Sequence, residues 1–170
     1  MSVCLIPGSY DPITRGHVDV IQRAAVLFSD VVVAILRNPE KPGWLTWDQR
    51  EALARAALSG IQGVSVIQFE GLAVDCARAS GARVIARGIR SIQDFEYEAA
   101  MARANRELSG VDSIETIFLA ADPSLAHWSS SAARQLAAFG GTLAAVIPSG
   151  SLELLTQYIL DMRRTARGKS

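Results

Sequence analysis

Residues 7–17 read Pro-Gly-Ser-Tyr-Asp-Pro-Ile-Thr-Arg-Gly-His and follow a short apolar run near the start of the chain. Glycines allow the main chain to approach a ligand closely. His17 is predicted in the first helical turn, where free N–H groups and the helix dipole favour an anion. The stretch is neither a Walker loop nor the dinucleotide fingerprint, because no Gly-Lys-Ser/Thr follows and the glycine spacing differs. It therefore predicts a phosphate site at a strand–helix junction, and the alternative is a Gly/Pro turn with an incidental cap histidine.

Three further stretches have residue types that suit phosphate. Lys41 lies between two prolines, which stiffen a loop and could present its ammonium to a polyphosphate. Arg87 and Arg90 flank Gly88, and guanidinium groups bind phosphate in a bidentate manner. Three serines at 129–131 open a predicted helix, which is more than one N-cap requires. Taken singly, each stretch could also be a solvated lysine, a pair of solvated arginines or an ordinary cap.

Two other groups of side chains allow a functional and a structural interpretation. Asp94 and Glu98 share one face of a predicted helix, and Glu98 could accept hydrogen bonds from a ribose or form ion pairs between subunits. Leu72 and Val74 could form an apolar wall for an extended organic substrate. Core packing is an equal alternative for these two residues.

The elements that would position these residues alternate between apolar β-type runs and helical segments. Strands are predicted at 2–6, 31–36, 64–68, 82–86 and 114–119. Helices are predicted at 17–28, 46–59, 71–80, 91–108, 129–139 and 151–163. This order predicts an α/β fold: a Rossmann-like, doubly wound, parallel five-stranded sheet with helices on both faces. Ligands bind such sheets beyond the carboxyl ends of the strands, at loops 7–16, 37–45, 69–72, 87–90 and 120–128.

Composition indicates the number of domains and the kinds of partner that the protein binds. The 170 residues fit one domain, 1–170, with a basic tail from about 163 to 170 that we expect to be frayed. The formal net charge is zero, which disfavours general nucleic-acid binding. The apolar share of 49% suggests a buried subunit interface, and the alternative is a small apolar α/β domain, which has a similar composition.

Location and metal binding can also be addressed from the sequence. The longest aliphatic run, 31–36, is too short to span a membrane, and the N-terminus lacks the features of a signal peptide. Cys4 and Cys76 are expected to be buried free thiols, and no metal-ligand spacing is present. These features favour a cytoplasmic enzyme.

The motifs occur in an order that resembles bacterial phosphopantetheine adenylyltransferases. These motifs are PGSYDPITRGH, Lys41, RGIR with DFEYE, and SSS before a helix. The Thr-x-Gly-His ending resembles the signature of the nucleotidyltransferase superfamily, and the likeness runs from Val3 to about Pro148. The resemblance implies transfer of the adenylyl group of ATP to 4′-phosphopantetheine, giving dephospho-coenzyme A and pyrophosphate, the penultimate step of coenzyme A synthesis. It further implies Mg²⁺ held mainly by the nucleotide phosphates and a homohexamer built as a dimer of trimers.

The resemblance also implies residue roles. His17 would contact the α-phosphate of ATP, and Lys41 would bridge the reacting phosphates. The implied catalytic residues are His17, Lys41 and Arg90. The implied ATP-binding residues are Ser9, Tyr10, His17, Gly88, Ile89, Arg90, Glu98, Ser129, Ser130 and Ser131. The implied phosphopantetheine-binding residues are Ser9, Lys41, Leu72, Ala73, Val74 and Arg87, and no residue is implied as a metal ligand.

One stretch departs from the family pattern. Family members commonly have aromatic-Ser-aromatic-Ile/Val before the serines, whereas this chain has Leu125-Ala126-His127-Trp128. We expect Trp128 to pack against the core and His127 to lie nearer the nucleotide, because an indole gains most from burial. The alternative is that His127 is an exposed loop residue.

Two other functions are compatible with part of the pattern. A related nucleotidyltransferase acting on nicotinamide mononucleotide or glycerol phosphate would keep the first motif but should lack the RGIR–DFEYE pair. A non-catalytic nucleotide-binding module would require a damaged first motif, and His17 and Lys41 are both present.

Overall fold

A computed structural model describes residues 2–37 and 43–167 of the chain. Over these residues, strands and helices alternate as the sequence predicts. The strands are β1 (Val3–Gly8), β2 (Asp30–Arg37), β3 (Val64–Glu70), β4 (Val84–Ile89) and β5 (Glu115–Ala120). The helices are α1 (Arg15–Leu27), α2 (Trp47–Leu58), α3 (Ala73–Ala79), α4 (Ile92–Ser109), α5 (Ser130–Phe139) and α6 (Ser149–Arg167), with one 3₁₀ turn at Gly110–Asp112.

The five strands form one parallel sheet in the order β3-β2-β1-β4-β5, and both of its faces are covered. Successive side chains of a strand point to opposite faces. Cys4 and Ile6 of β1 accordingly pack with α1, α2, α5 and α6, whereas Leu5 packs with α3 on the other face. Helix α4 covers β4 and β5. This arrangement confirms the predicted doubly wound Rossmann-like fold.

The sheet separates in its centre, between β1 and β4. Strand β1 pairs with β2 over its full length, from Val3 with Asp30 to Gly8 with Ile35. By contrast, the pairing of β1 with β4 covers Cys4 with Val84 and Leu5 with Ile85. The carboxyl-terminal halves of these strands therefore form the two walls of a cleft.

Each of the five predicted loops begins inside a strand, and the predicted C-terminal ends of β1 and β4 were wrong. Pro7 and Gly8 belong to β1, and residues 87–89 belong to β4, because each pairs with the outer neighbouring strand. Glycine, proline and arginine interrupt the apolar runs, so the sequence pattern did not predict this pairing. Pro7 has no main-chain N–H group to donate. It is tolerated because β1 no longer pairs with β4 at this position.

The C-terminal helix is longer than predicted. Helix α6 continues to Arg167, so residues 163–167 are helical rather than frayed, and residues beyond 167 lie outside the described part. The Arg163 guanidinium donates to the Ala137 carbonyl at 2.7 Å, which ties this end of α6 to α5. No helix within the described ranges is both long and apolar enough to cross a bilayer.

Both cysteines are free and buried, as predicted. Burial raises the pKa of the Cys4 and Cys76 thiols to about 11 in each case. Thiols with such a pKa are protonated at neutral pH and serve as small apolar core residues.

Candidate active site

A cavity of about 340 Å³ opens where β1 and β4 separate. In a doubly wound sheet this is the topological switch point, since the chain runs outward from β1 in one direction and returns to β4 in the other. The ends of β1 and β4 and the first turns of α1, α4 and α5 surround it. Its lining includes Ser9, Tyr10, His17, Arg87, Gly88, Arg90, Asp94, Glu98, Trp128, Ser129, Ser130, Ser131 and Arg134.

The separated strands leave main-chain carbonyl groups that need hydrogen-bond donors. The Tyr10 hydroxyl donates to the Ile6 carbonyl at 2.9 Å. The Arg87 guanidinium donates to the Pro7 carbonyl across the cleft. Two side chains that line the cavity therefore donate to main-chain carbonyl groups at the end of β1.

His17 lies at the third position of α1, with Thr14 as the N-cap. The Thr14 main-chain N–H donates to His17 Nδ1 at 2.9 Å, so Nδ1 acts as an acceptor and the proton of the neutral ring lies on Nε2. Burial, together with the positive charges of Arg90 and Arg87, lowers the pKa of His17 to about 4. At neutral pH the ring is uncharged and offers one N–H donor.

The Tyr10 ring packs against the His17 ring. Its side chain is buried, and its ring lies edge-on to the His17 ring with centroids 5.1 Å apart. A Cβ at Gly8 would lie 2.9 Å from the Tyr10 ring, so the absence of a side chain at Gly8 leaves room for the tyrosine. In the structure Tyr10 therefore contacts both the His17 ring and the Ile6 carbonyl.

Arg87 and Glu98 form a bidentate ion pair on the cavity wall. Nε and Nη2 of Arg87 donate to the two Glu98 carboxylate oxygens at 2.7 and 2.5 Å. Burial alone would lower the pKa of Arg87, but the Glu98 carboxylate more than offsets this and raises it. With Nη1 also bound to Pro7, three of the five guanidinium N–H groups are used and two remain for a ligand. The partner of Glu98 in this chain is thus Arg87.

Arg90 is held less tightly. Its Nε donates to the Asp94 carboxylate at 2.9 Å, and its main-chain N–H approaches the same oxygen at 3.3 Å. The Arg90 side chain is 44% exposed, against 29% for Arg87. Arg90 therefore keeps more freedom to reach a ligand at the mouth of the cavity.

The three serines have three different partners. Ser129 is the N-cap of α5 and accepts from the Ala132 N–H at 3.1 Å. Ser130 donates to the Pro12 carbonyl at 2.8 Å, which joins α5 to the loop before α1. Ser131 accepts from Arg134 at 3.0 Å. One serine caps the helix, and the hydroxyl protons of Ser129 and Ser131 remain for a ligand.

Arg134 is a cavity residue that sequence reasoning missed. Its Nη1 donates to the Asp11 carbonyl at 2.6 Å and its Nη2 to Ser131, so it braces two walls of the cavity. The available signal was its position three residues after Ser131, which places both on one face of α5.

Some implied substrate residues lie away from the cavity. Val74, in α3, is buried in a core cluster, and Leu72 is exposed at the N-cap of α3. Ala73 begins that helix, and none of the three lines the cavity. Lys41 lies outside the described residues.

Gly88 and Ile89 have structural roles within β4. A Cβ at Gly88 would lie 2.9 Å from Val20, so glycine lets α1 pack closely against the strand. Ile89 pairs with Ala120 on β5 and does not line the cavity.

The expectation for the stretch before the serines is half right. Trp128 packs against the core as predicted, but Trp128 also lines the cavity whereas His127 is exposed outside it. The two rings contact each other with centroids 4.4 Å apart. His127 faces solvent because the larger indole takes the sheltered position.

Known proteins resemble this chain over most of its length. The cytidylyltransferase-like family model matches residues 5–136. A phosphopantetheine adenylyltransferase of Heliobacterium modesticaldum is 42% identical, covering 100% of this chain and 98% of its own. One from Symbiobacterium thermophilum is 49% identical over 86% of this chain and 88% of its own.

Solved structures share the fold at low identity. A protein of Vibrio parahaemolyticus, provisionally named a nicotinate-nucleotide adenylyltransferase, superposes with a TM-score of 0.71 at 15% identity, covering 94% of this chain and 95% of that one. A bifunctional NMN adenylyltransferase/ADP ribose pyrophosphatase of Francisella tularensis gives 0.72 at 14% identity, covering 93% of this chain and 49% of that one. The family model and the near full-length relatives together show that this chain belongs to the phosphopantetheine adenylyltransferase family of cytidylyltransferase-like proteins.

Proposed function

We propose that this protein transfers the adenylyl group of ATP to 4′-phosphopantetheine, giving dephospho-coenzyme A and pyrophosphate. The observation that carries the proposal is the cavity at the sheet's switch point, where His17, two arginines with free N–H groups and the serine-rich start of α5 converge. Relatives at 41–49% identity carry the name of this activity.

The reaction requires little proton chemistry. The attacking group is a phosphate monoester, whose second pKa of about 6 leaves it largely dianionic at neutral pH. One of its oxygens forms a bond to the α-phosphorus of ATP while the bond to the β-phosphate oxygen breaks and pyrophosphate leaves. The obstacle is the repulsion between two anions and the charge that develops at the α-phosphate. Positioning and preorganised donors reduce both costs.

The donors of the cavity suit these tasks. Nε2–H of His17 would donate to the α-phosphate, and its lowered pKa of about 4 keeps it a neutral donor rather than an acid. The two free N–H groups of Arg87 would hold the acceptor phosphate beside Ser9, and Arg90 would contact the nucleotide. The hydroxyls and main-chain N–H groups of residues 129–131 would bind the β- and γ-phosphates. Lys41 keeps the bridging role that the family resemblance gives it.

Magnesium fits this site as an ion that enters on the nucleotide. The two carboxylates on the cavity wall are engaged with Arg87 and Arg90, and no cluster of three metal-ligating residues occurs among residues 2–37 and 43–167. Mg²⁺ keeps several waters and is commonly bound through substrate phosphates. When bound it would neutralise part of the phosphate charge, while the protein residues hold the phosphates themselves.

We propose a homohexamer, a dimer of trimers, that acts in the cytoplasm. Support for assembly comes from large apolar side chains left exposed on α4: Ile92, Phe95, Tyr97, Met101 and Leu108. Two free buried thiols suit a reducing compartment. Light scattering at micromolar concentration should report about six chains, and an active monomer would contradict the assembly.

Pyrophosphate release from ATP tests the activity. We expect release with 4′-phosphopantetheine and little with nicotinamide mononucleotide, the alternative acceptor. Mass detection of dephospho-coenzyme A should match the pyrophosphate formed. Preference for nicotinamide mononucleotide would replace this function with the related one, and ATP binding without release for any acceptor would indicate a binding module.

A further inference from the structure

We infer that Arg134 binds the pyrophosphate part of ATP, as the cation of the cavity whose charge no carboxylate of the described residues neutralises. The inference deepens the proposed function, because it assumes that ATP occupies this cavity. It concerns a residue outside the motifs that carried the sequence resemblance.

The charges of the three cavity arginines differ in how they are compensated. Glu98 lies 2.5 Å from Arg87, and Asp94 lies 2.9 Å from Arg90. Arg134 instead donates to a neutral carbonyl and a neutral hydroxyl, and none of the described carboxylates forms an ion pair with it. The carboxylate of the nearby Asp11 is already paired with Arg50. Arg134 therefore contributes a full positive charge to a half-buried wall.

The geometry aims this charge at the serine end of the cavity. The Asp11 carbonyl and Ser131 Oγ fix the guanidinium through Nη1 and Nη2 at 2.6 and 3.0 Å. Two of its five N–H groups are used in this way, which leaves three for a ligand. A held guanidinium with free N–H groups is suited to bidentate binding of phosphate oxygens.

The chemical class of the ligand follows from the charge count. A phosphate group that enters beside Arg87 or Arg90 meets a cation already neutralised by a carboxylate. The site with uncompensated charge favours the most anionic group of the substrates and products, which is the β,γ-diphosphate of ATP and the pyrophosphate that leaves. Arg134 would thus stabilise the leaving group as its charge grows.

Calorimetric titration of Arg134→Gln with inorganic pyrophosphate, ATP and AMP tests the inference. We expect pyrophosphate and ATP to bind about tenfold or more weakly, the usual cost of a charged hydrogen bond, and AMP to change less than twofold. Arg134→Lys, which keeps the charge but loses the fork, should recover part of the pyrophosphate affinity. Arg134→Met retains the aliphatic stem and serves as the neutral variant if Arg134→Gln fails to fold.

Arg55→Gln is the matched control. Arg55 also donates to a main-chain carbonyl at 2.6 Å, that of Val66, but lies on α2 away from the cavity. Its removal should leave all three affinities unchanged. Equal weakening of AMP and pyrophosphate, or no weakening of either, would overturn the inference and leave Arg134 as a structural brace.

This experiment does not depend on the acceptor. If wild-type protein binds ATP but does not adenylate 4′-phosphopantetheine, the proposed function fails while the Arg134 result still stands. If transfer proceeds normally in Arg134→Gln and pyrophosphate binding is unaltered, only the inference fails.

Discussion

Two arginine–carboxylate pairs in this chain have the same chemistry and opposite surroundings. Asp11 and Arg50 join the loop before α1 to α2 behind the cavity, and their side chains are 11% and 4% exposed. Arg87 and Glu98 join β4 to α4 on the cavity wall, where the arginine side chain is 29% exposed.

The Asp11–Arg50 pair forms further hydrogen bonds with main-chain groups of the protein. The Asp11 carboxylate accepts from the main-chain N–H groups of Trp44 and Leu45 at 2.8 and 2.9 Å. Arg50 donates to the Leu45 and Ser9 carbonyls and stacks on the Trp47 ring, 4.3 Å from its centroid. Burial lowers the pKa of Arg50, and the Asp11 charge opposes that shift.

The pair on the cavity wall keeps two arginine N–H groups unused. Arg50 likewise uses three of its five N–H groups, so the two pairs differ in burial and in place rather than in the number of bonds. The pair buried behind the cavity is structural, whereas the pair on the cavity wall is open to a ligand. Of the four predictions below, two test these ion pairs and two concern His17 beside them, and the first has the largest expected effect.

Asp11→Asn should lower the free energy of unfolding by about 3–5 kcal/mol, because it leaves the buried Arg50 charge without its partner. Chemical denaturation followed by tryptophan fluorescence measures this change. Asp161→Asn is the control, since its pair with Arg164 is exposed and 3.8 Å long, and it should cost less than about 0.5 kcal/mol. If Asp11→Asn lowered the free energy of unfolding by less than about 1 kcal/mol, the buried pair would contribute no more than an ordinary surface ion pair.

His17→Ala should lower turnover about 100- to 1000-fold, the usual effect of removing one preorganised donor. Its unfolding free energy should fall by only about 1 kcal/mol, since the main loss is the contact with the Thr14 N–H. The chain contains two histidines, so His127→Ala, outside the cavity, is the matched control and should keep full activity. Near wild-type turnover of His17→Ala would remove His17 from the catalytic set.

Arg87→Gln should weaken 4′-phosphopantetheine binding about tenfold or more, because a charged hydrogen bond is lost, with ATP affinity little changed. Arg90→Gln should show the reverse pattern. Separate titrations with each substrate measure both variants. If Arg87→Gln weakened ATP alone, the assignment of the two arginines would have to be exchanged.

Acid should destabilise the wild type more than His17→Asn. The folded pKa of His17, about 4, lies below the usual value of 6.5, so the unfolded chain takes up this proton first. The contribution is complete above about pH 6.5 and falls as the pH drops toward 4, by about 1–2 kcal/mol after allowing for solvent at the cavity. Unfolding curves at pH 7, 5.5 and 4.5 should diverge between the two chains, and parallel curves would contradict the lowered pKa.

Much of the fold was predictable because apolar periodicity and helix caps are local signals. Thr46 and Gln49 form a capping box at the start of α2, within the helix predicted at 46–59, and Ser129 caps α5. The ends of β1 and β4 were not predictable, because Gly8 and Arg87 are strand residues only through pairing with another strand. For the same reason, the separation of β1 from β4, which creates the cavity, cannot be predicted from the sequence of either strand alone.

By itself, the sequence determined the order of strands and helices, the residue types that suit a phosphate site and the position of His17 in the first turn of α1. These features depend on neighbouring residues in the chain. Tertiary structure alone decided that Glu98 compensates Arg87, that Trp128 rather than His127 faces the cavity, and that Arg134 lacks a described carboxylate partner. Burial and charge compensation depend on groups brought together from distant segments, so they follow only once the sheet and its helices are assembled.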